Sequence, residues 1–262
     1  MLKALYKNRY LVKQLVKQDI RQRYQGSVLG ILWSFIVPVL MLIIYTFVFS
    51  EVFQAKWDID TSDKYQFAIV LFCGLCVFNF VGEVMNRSTI LIASNTNYVK
   101  KVIFPLEILP VVITFSALFT CVVSFIILIV AKIILYRNVS PTLYMIVPMF
   151  IPLIILAVGL GLFISAISVY LKDVGNAISV IVTVLMYLSP VFFPLASVPE
   201  SFRGVCEINP MTYIIENFRK VVIYGEMIEW KYYAISCVTS IIIYFVGKLV
   251  FMREKEGFAD VL

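Results

Sequence analysis

The chain has 262 residues, of which 61% are hydrophobic and only 15% are charged. A soluble domain keeps about a quarter of its residues charged. Because the shortfall extends along the whole sequence, it excludes a globular protein with a single membrane anchor. The net charge of +6 would indicate a nucleic-acid partner for a soluble protein, but in a membrane protein it is typical of basic loops on the cytoplasmic side.

The N-terminal segment, residues 1–25, predicts an amphipathic helix lying in the cytoplasmic interface of the membrane. Lys13, Lys17 and Arg21 recur at four-residue spacing on one helical face, while leucine, isoleucine and valine recur on another. The simpler alternative is a basic flank of the first span without a dedicated helix, because positive charge also collects beside spans on the cytoplasmic side.

Six charge-poor intervals predict an all-α polytopic membrane protein, since about 20 apolar residues in a helix cross the hydrocarbon core. The first interval is too long for a signal peptide and lacks a small-residue cleavage site, so it is expected to be retained. Apart from Lys248 near one end, the spans are expected to hold no charge. Their predicted positions are residues 28–50, 65–83, 109–134, 143–170, 174–194 and 231–252.

The distribution of basic residues predicts that both chain ends are cytoplasmic. With this orientation the inner loops hold most of the 22 Lys and Arg residues, in agreement with the positive-inside rule. Residues 254–262 then form a cytoplasmic tail.

Two clusters of potential metal ligands favour simpler interpretations. Cys73 and Cys76 form a CxxC inside an apolar span, without a second pair or any histidine, so apolar packing is favoured over metal or redox chemistry. Asp58, Asp60 and Asp63 crowd the loop after the first span. Their spacing matches no oxygen-ligand template, so a solvated loop is favoured over a cation site.

The longest predicted cytoplasmic connection, residues 86–110, has a polar centre rich in amides. This mixed apolar and amide character suits a short helix that contacts a partner protein, and an ordinary basic loop is the alternative. The polar and basic residues at its centre include Asn95, Asn97, Tyr98, Lys100 and Lys101.

Residues 195–226, between the last two spans, predict short extracytoplasmic helices that do not cross the membrane. Asn209 followed by Pro210 is a typical helix start, with Asn as the cap and Pro in the first turn. This helix is expected either to dip into the outer leaflet as part of a re-entrant pair or to lie on the surface. Its apolar stripe consists of Met211, Ile214, Ile215, Phe218 and Val222, and its opposite side carries Glu216, Arg219 and Lys220.

The spans themselves predict packing rather than chemistry. Ala157, Gly161 and Ser165 repeat every four positions in the fourth span, which indicates close helix packing. The sequence has no GxxxxGK[ST] motif, and its spans offer neither a charged relay nor an acid–base cluster. If the protein moves a solute uphill, the energy must therefore come from another polypeptide docked on its cytoplasmic surfaces.

Several motifs in register resemble the permease subunits of type-2 ABC exporters for polysaccharides, the family of O-antigen, capsule and teichoic-acid exporters. LVKQDIRQRYQGSVLGILWSFIVPVL, residues 15–40, is similar to the family's N-terminal signature. FPLEILP at 104–110 and YLKD at 170–173 resemble its two cytoplasmic loops, although many relatives carry Arg in place of Lys172. NPMTYIIENFR at 209–219 is similar to the Asn-Pro element of its last outer loop.

The resemblance implies a homodimeric permease, with a type-2 ABC transmembrane domain over residues 26–253, that pairs with two copies of a separate P-loop ATPase. This chain would then carry no cofactor, with ATP and Mg²⁺ on the ATPase. Its substrate would be a lipid-linked glycan crossing a bacterial cytoplasmic (inner) membrane. The residues that the resemblance assigns to ATPase coupling are Lys13, Lys17, Arg21, Arg23, Asn95, Asn97, Tyr98, Lys100, Lys101 and Asp173.

The resemblance also implies an outer gate over residues 195–226 and a glycan channel at the dimer interface. A type-2 exporter of a drug or lipid shares this architecture and is the alternative; a membrane-embedded transferase is more remote, because the sequence lacks a catalytic cluster. The gate residues are Asn209, Pro210, Tyr213, Phe218 and Arg219. Aromatic candidates for stacking on sugars in the channel are Trp33, Phe35, Tyr45 and Tyr187.

Overall fold

The computed structural model describes residues 6–57, 63, 65–99 and 104–262. Every regular element in these ranges is helical, which confirms the all-α prediction. Four residues with predicted roles, Asp58, Asp60, Lys100 and Lys101, lie outside the described residues.

The helices follow one another with short connections. In the described part of the chain the α-helices are α1 Arg9–Tyr24, α2 Trp33–Tyr45, α3 Gln66–Ser88, α4 Thr96–Val99, α5 Ile108–Tyr136, α6 Ile146–Tyr170, α7 Val174–Leu188, α8 Glu200–Ile208, α9 Pro210–Arg219, α10 Trp230–Glu254 and α11 Phe258–Val261. Wider helical turns prolong α2 over Thr46–Val52 and α9 over Lys220–Tyr224.

The described chain contains five stretches that are long and apolar enough to cross a bilayer, which confirms a polytopic membrane protein. The fifth predicted span, residues 174–194, is helical only over the 15 residues of α7, about 22 Å. Its backbone becomes extended at Ser189 because Pro190 disfavours a helical conformation in the residue before it. The five long stretches are Gly30–Val52, Gln66–Ser88, Ile108–Tyr136, Leu143–Tyr170 and Trp230–Val261.

Helix α3 lies at the centre of the bundle and packs against α5, α6 and α9. Its first half is apolar on all sides, and every residue from Phe67 to Phe78 is buried, as expected of a helical segment surrounded by protein. Cys73 and Cys76 are free thiols inside this core, in agreement with the packing interpretation. In contrast, α2 buries only Ser34, Pro38 and Leu42 and leaves the rest of its surface open.

Two glycines allow α6 and α10 to cross in backbone contact. A Cβ at Gly247 would meet the carbonyl oxygen of Gly159, and a Cβ at Gly159 would lie 2.6 Å from the Cα of Tyr244. The predicted small-residue seam lies elsewhere on α6, where a Cβ added at Gly161 would lie 3.3 Å from Ser88 Oγ of α3. Its packing role is confirmed, but the closer contact of α6 is the one with α10.

Replacing Gly247 with alanine is expected to lower the unfolding free energy by at least about 2 kcal/mol, because the methyl group meets backbone that has no rotamer to change. Gly204 is a matched control, since it lies inside α8 with no atom within 4 Å of its Cβ position. Gly204→Ala should be neutral or stabilising by up to about 1 kcal/mol. Thermal unfolding of the detergent-purified variants measures both, and equal shifts would contradict the backbone contact.

The C-terminal residues fold back onto the end of α6. The Tyr170 hydroxyl donates to the carbonyl oxygen of Glu254 at 2.9 Å. Phe258 is fully buried and packs edge-on against Phe251 with ring centroids 5.5 Å apart. The predicted tail, residues 254–262, therefore packs on the bundle, against the end of α6 and the last turns of α10.

Candidate functional site

The polar surfaces of the molecule lie at two opposite ends of the bundle. At one end α1, the α3–α5 connection, the α6–α7 turn and the C-terminal residues come together, with Asp19 bonded to Arg87 and Tyr170 bonded to Glu254. At the other end the continuation of α9 packs on the α5–α6 connection, and α8 packs on α9. We call these the α1 end and the α9 end.

Helix α1 presents a basic face to solvent at the α1 end. Lys13, Lys17 and Arg21 are all exposed, while the apolar residues of the other face are half-buried where α1 packs on α5. The segment is thus an amphipathic helix and not an unstructured flank. Gly26 and Gly30 adopt positive φ angles of 86° and 51° directly after it, which turns the chain into the bundle.

Four charged side chains join α1 to α3, and we call them the charge lattice. Arg87 donates from Nη2 to both carboxylate oxygens of Asp19, at 2.6 and 2.8 Å. Arg23 Nη2 lies 2.6 Å from Glu83 Oε1. Longer contacts close the square, with Arg23 3.9 Å from Asp19 and Arg87 3.5 Å from Glu83. Each positive group thus has two carboxylates around it, and each carboxylate has two guanidinium groups.

The side chain of Arg23 points into the bundle. Besides Glu83 it contacts the hydroxyl groups of Ser116 and Thr120 on α5, at 3.1 and 3.3 Å. The resemblance assigned Arg23 to ATPase coupling together with the basic residues of α1, but the structure turns its side chain away from that basic face and toward α3 and α5. Its role is to hold α1 against α3 and α5.

The prediction that the spans hold no charge apart from Lys248 is wrong. Glu83 lies inside the predicted second span and Lys132 inside the third, since α3 and α5 extend beyond the charge-free intervals. Lys132 is 9% exposed and donates to Ser140 Oγ and to the carbonyl oxygen of Val222. Because these charges pair with groups of the same chain, they stabilise the bundle and do not form an open relay.

The α3–α5 connection offers one exposed amide and one stacked aromatic ring. Asn97 is exposed, whereas the Asn95 side chain donates to the carbonyl oxygen of Leu91 at 2.8 Å. Tyr98 stacks on Phe104 with ring centroids 4.4 Å apart. Asp173 is exposed in the α6–α7 turn at the same end of the molecule.

Helix α9 begins as the sequence predicts. The Asn209 carboxamide oxygen accepts from the backbone N–H of Met211 at 3.0 Å, and Pro210 occupies the first turn. The Asn209 Nδ2 group also donates to Ser189 Oγ at 2.7 Å, which ties the helix start to the end of α7. The predicted stripe is buried at Met211, Ile214, Ile215, Phe218 and Val222, so α9 is inserted into the bundle and is not a peripheral surface helix.

Arg219 is buried, at 1% exposure, although the sequence placed it on the open polar side of α9. Its guanidinium Nη2 donates to the carbonyl oxygen of Val191 at 2.8 Å, and its Nε donates to that of Val70 at 3.3 Å. Nη1 donates to the carbonyl oxygen of Pro190 and to the Glu216 carboxylate. The physical reason is that the break after α7 leaves carbonyl groups without helical partners, which must be satisfied inside the protein.

Aromatic side chains pack against the Arg219 guanidinium and join α9 to the neighbouring helices. Trp57 lies against the guanidinium with its ring centroid 4.4 Å away. Phe218 stacks on Phe125 of α5 at 4.9 Å, and the ring of Tyr213 is 4.6 Å from that of Tyr232 on α10. The hydroxyl groups of Ser140 and Thr142 lie near the carbonyl oxygens at the end of α9.

A polar stripe runs along the open face of α7. Asn176, Ser179, Thr183 and Tyr187 are exposed and follow one another by three or four residues, so they share one side of the helix. Asn86 of α3 lies beside this stripe, with its Oδ1 3.4 Å from Ser179 Oγ.

The four aromatic channel candidates have different surroundings. Tyr187 is 63% exposed and stacks on Phe192 with ring centroids 5.7 Å apart. On α2, Phe35 is open and Trp33 donates from Nε1 to Ser27 Oγ at 2.9 Å, whereas Tyr45 is half-buried. Of the four, Tyr187 is the one that continues the polar stripe.

An apolar bundle of membrane-length helices with a polar stripe on one open face has the architecture of a membrane permease. The sequence profile of the ABC-2 type transporter family matches residues 10–223, and the chain therefore belongs to that family.

The curated relatives align with nearly the whole chain. An O-antigen export system permease protein of Klebsiella pneumoniae is 26% identical, over 92% of this chain and 90% of the relative. A protein of the same description from Myxococcus xanthus is 24% identical, over 99% and 98% of the two chains. A polysialic acid transport protein of Escherichia coli is 23% identical, over 94% of each.

Proposed function

We propose that this chain is the permease subunit of an ATP-driven exporter that moves a lipid-linked polysaccharide, such as an O-antigen-like glycan, to the outer side of a bacterial cytoplasmic membrane. The observation that carries the proposal is similarity over nearly the full length to proteins described as O-antigen and polysialic acid exporters. A drug or lipid exporter of the same architecture is less well supported, since none of these relatives is described as one.

Deleting the gene from its own cells separates the two functions. We expect surface polysaccharide to disappear and glycan to accumulate inside, as measured by glycan immunoblots of surface and cytoplasmic fractions. Re-expression of the chain should restore the surface signal. Unchanged surface glycan together with new sensitivity to a small amphiphile would support the drug or lipid exporter instead.

The basic face of α1 is the surface that we assign to docking of the ATPase partner. In this proposal ATP and Mg²⁺ bind to that partner and not to this chain. Lys13, Lys17 and Arg21 are exposed in a row, while the adjacent Arg23 anchors the same helix to α3 through Glu83. A force applied to the exposed side therefore reaches the centre of the bundle. Because the ATPase would dock from the cytoplasm, this proposal places the α1 end and both termini on the cytoplasmic side.

Reversing the charge of this face should remove the ATPase from the complex without unfolding the permease. The triple variant Lys13→Glu, Lys17→Glu, Arg21→Glu is expected to co-purify at least about tenfold less of a P-loop ATPase from native membranes, because each opposed charge weakens a complementary interface. Arg137→Glu with Lys231→Glu is the control, since both residues are exposed at the α9 end. Full ATPase recovery with the triple variant would contradict the docking surface.

The stripe on α7 is the wall that we assign to the glycan path, with a second copy of the chain facing it. Polar side chains that face hydrocarbon are costly, so a stripe of four on an open helix is stable where it lines a wet channel. The sparsely buried helix α2 offers further open surface for the contact between the two copies. Hydroxyl and amide groups on such a wall can exchange hydrogen bonds with sugar hydroxyls as the glycan moves along it.

A further inference from the structure

We propose that a groove at the α9 end binds sugar units of the exported glycan at a second site, separate from the stripe on α7. The inference rests on the proposed polysaccharide export and adds a site for the substrate beyond the channel. The groove has a volume of about 590 Å³ and lies between α8, α9 and the start of α10. It is roomy enough for several sugar rings and is open on one side.

The floor of the groove is rigid. Trp57 forms part of it and is 7% exposed, held from behind by the buried guanidinium of Arg219. Tyr232 is fixed by its ring contact with Tyr213. Above this floor Tyr224 is 39% exposed and presents the most open aromatic ring of the lining. Aromatic faces of this kind stack on the apolar faces of sugar rings without a conformational change in the protein.

The polar rim offers groups that the described part of the chain leaves unsatisfied. Glu207 and Glu226 are exposed carboxylates in the lining, and no side-chain hydrogen bond or close ion pair joins either carboxylate to a described residue. The Nε of Arg203 is buried without a partner, while its Nη2 lies a long 3.4 Å from two backbone carbonyl oxygens. The groove thus combines exposed carboxylate acceptors with a guanidinium whose buried Nε has no partner.

The other charges of the lining are already paired. Glu216 accepts from Arg219, and Lys220 is bonded to Glu229, which raises the pKa of the Lys220 ammonium. These pairs fix the walls, while the carboxylates of Glu207 and Glu226 remain exposed to a ligand. A hydroxyl both donates and accepts, so a hydroxyl-rich saccharide matches this set.

The sign of the charge narrows the ligand class further. The lining contains the carboxylates of Glu207, Glu216 and Glu226 against the cations of Arg203 and Lys220. A densely anionic polymer would meet net repulsion here, whereas sugar units with few negative charges would not. The ligand is therefore a hydroxyl-rich glycan segment of low negative charge.

Photo-crosslinking in the native cell, where the complete exporter handles its own glycan, tests this site. The photoreactive residue p-benzoylphenylalanine replaces tyrosine at one position at a time: Tyr224→p-benzoylphenylalanine for the groove and Tyr187→p-benzoylphenylalanine for the stripe on α7. Tyr144→p-benzoylphenylalanine is the control, because Tyr144 is 63% exposed in the turn just before α6, at the α9 end but outside the groove lining. We expect glycan-bearing permease bands at 224 and 187 and none at 144, with few anionic sugars in the captured material.

The three positions distinguish failure of the groove from failure of the proposed function. Capture at 187 without capture at 224 overturns the groove and leaves polysaccharide export intact. Absence of glycan at both positions overturns the groove together with the substrate assignment. Equal capture at 144 also overturns the groove, since the contact would then be non-specific.

A second set of variants tests the chemistry of recognition. Glu207→Ala with Glu226→Ala should reduce capture at 224 at least about fivefold, which corresponds to one lost hydrogen bond, and leave capture at 187 unchanged. Glu200→Ala is the matched control, because Glu200 is an exposed carboxylate on α8 outside the groove lining. Unchanged capture at 224 in the double variant would overturn recognition by these carboxylates.

Discussion

Arg219→Met is expected to lower the unfolding free energy by at least about 3 kcal/mol, because it removes the charged partner of a buried network. The guanidinium donates to the carbonyl oxygens of Val70, Pro190 and Val191, and it neutralises the half-buried Glu216 carboxylate. Methionine fills a similar volume but supplies no donor. The carbonyl groups of Pro190 and Val191 would then remain buried without this donor, and the half-buried Glu216 carboxylate would lose its cation.

The thermal midpoint and the monodispersity of the detergent-purified protein measure this loss. Arg219→Lys should lie between the wild-type protein and Arg219→Met, because one ammonium group retains the charge but does not reach three carbonyl groups from a planar fork. Arg253→Met is the control, since the Arg253 side chain is 87% exposed and its loss should change stability by about 0.5 kcal/mol or less. A midpoint of Arg219→Met equal to that of Arg253→Met would show that the carbonyl contacts do not stabilise the fold.

The sequence is sufficient for features that depend on neighbouring residues. Apolar runs give the long helices, and the Asn209–Pro210 pair gives the start of α9, because capping needs only groups within one turn. The buried stripe of α9 also follows from local periodicity. The same periodicity placed Arg219 on a polar face, and it failed there because the polar face meets the broken backbone at Pro190.

Contacts between distant segments are the part that local patterns do not contain. The spacing of small residues in α6 predicted a close approach at Gly161, yet nothing in it distinguishes Gly159, whose partner Gly247 lies on another helix. The charge lattice also depends on residues that are distant in sequence, since Asp19 and Arg87 are 68 positions apart. The sequence alone does not distinguish an exposed Arg on an amphipathic helix from one that pairs with a carboxylate of another helix. For Arg23 the structure identifies this partner as Glu83.

The charge lattice connects the proposed docking face to the centre of the bundle, so we expect charge reversal there to uncouple ATP hydrolysis from export. Arg87→Asp would leave three carboxylates around Arg23, and Asp19→Arg would leave three guanidinium groups around Glu83. Each single variant is expected to reduce surface glycan about tenfold, a change of the size found for coupled neighbours in one network. The partner ATPase should still co-purify, because Lys13, Lys17 and Arg21 are untouched.

The double variant Asp19→Arg, Arg87→Asp distinguishes a coupling role from a general loss of charge. It restores an alternating square of two positive and two negative groups, so surface glycan should recover by several fold over either single variant. The favourable coupling energy is expected to be on the order of 1 kcal/mol, since these side chains remain partly exposed to water. Arg253→Asp controls for an added negative charge at the same end and should leave export unchanged.

The ratio of ATP hydrolysis to glycan exported is the decisive readout for this lattice. If α1 transmits movement through Arg23 and Arg87 to α3, the single variants keep hydrolysing ATP while export falls, and the swap brings the ratio back toward that of the wild-type complex. A purely structural lattice gives another pattern, in which permease level, hydrolysis and export fall together. Equal export by the single variants and the double variant would contradict pairing across the α1–α3 contact, because charge identity alone would then have no effect.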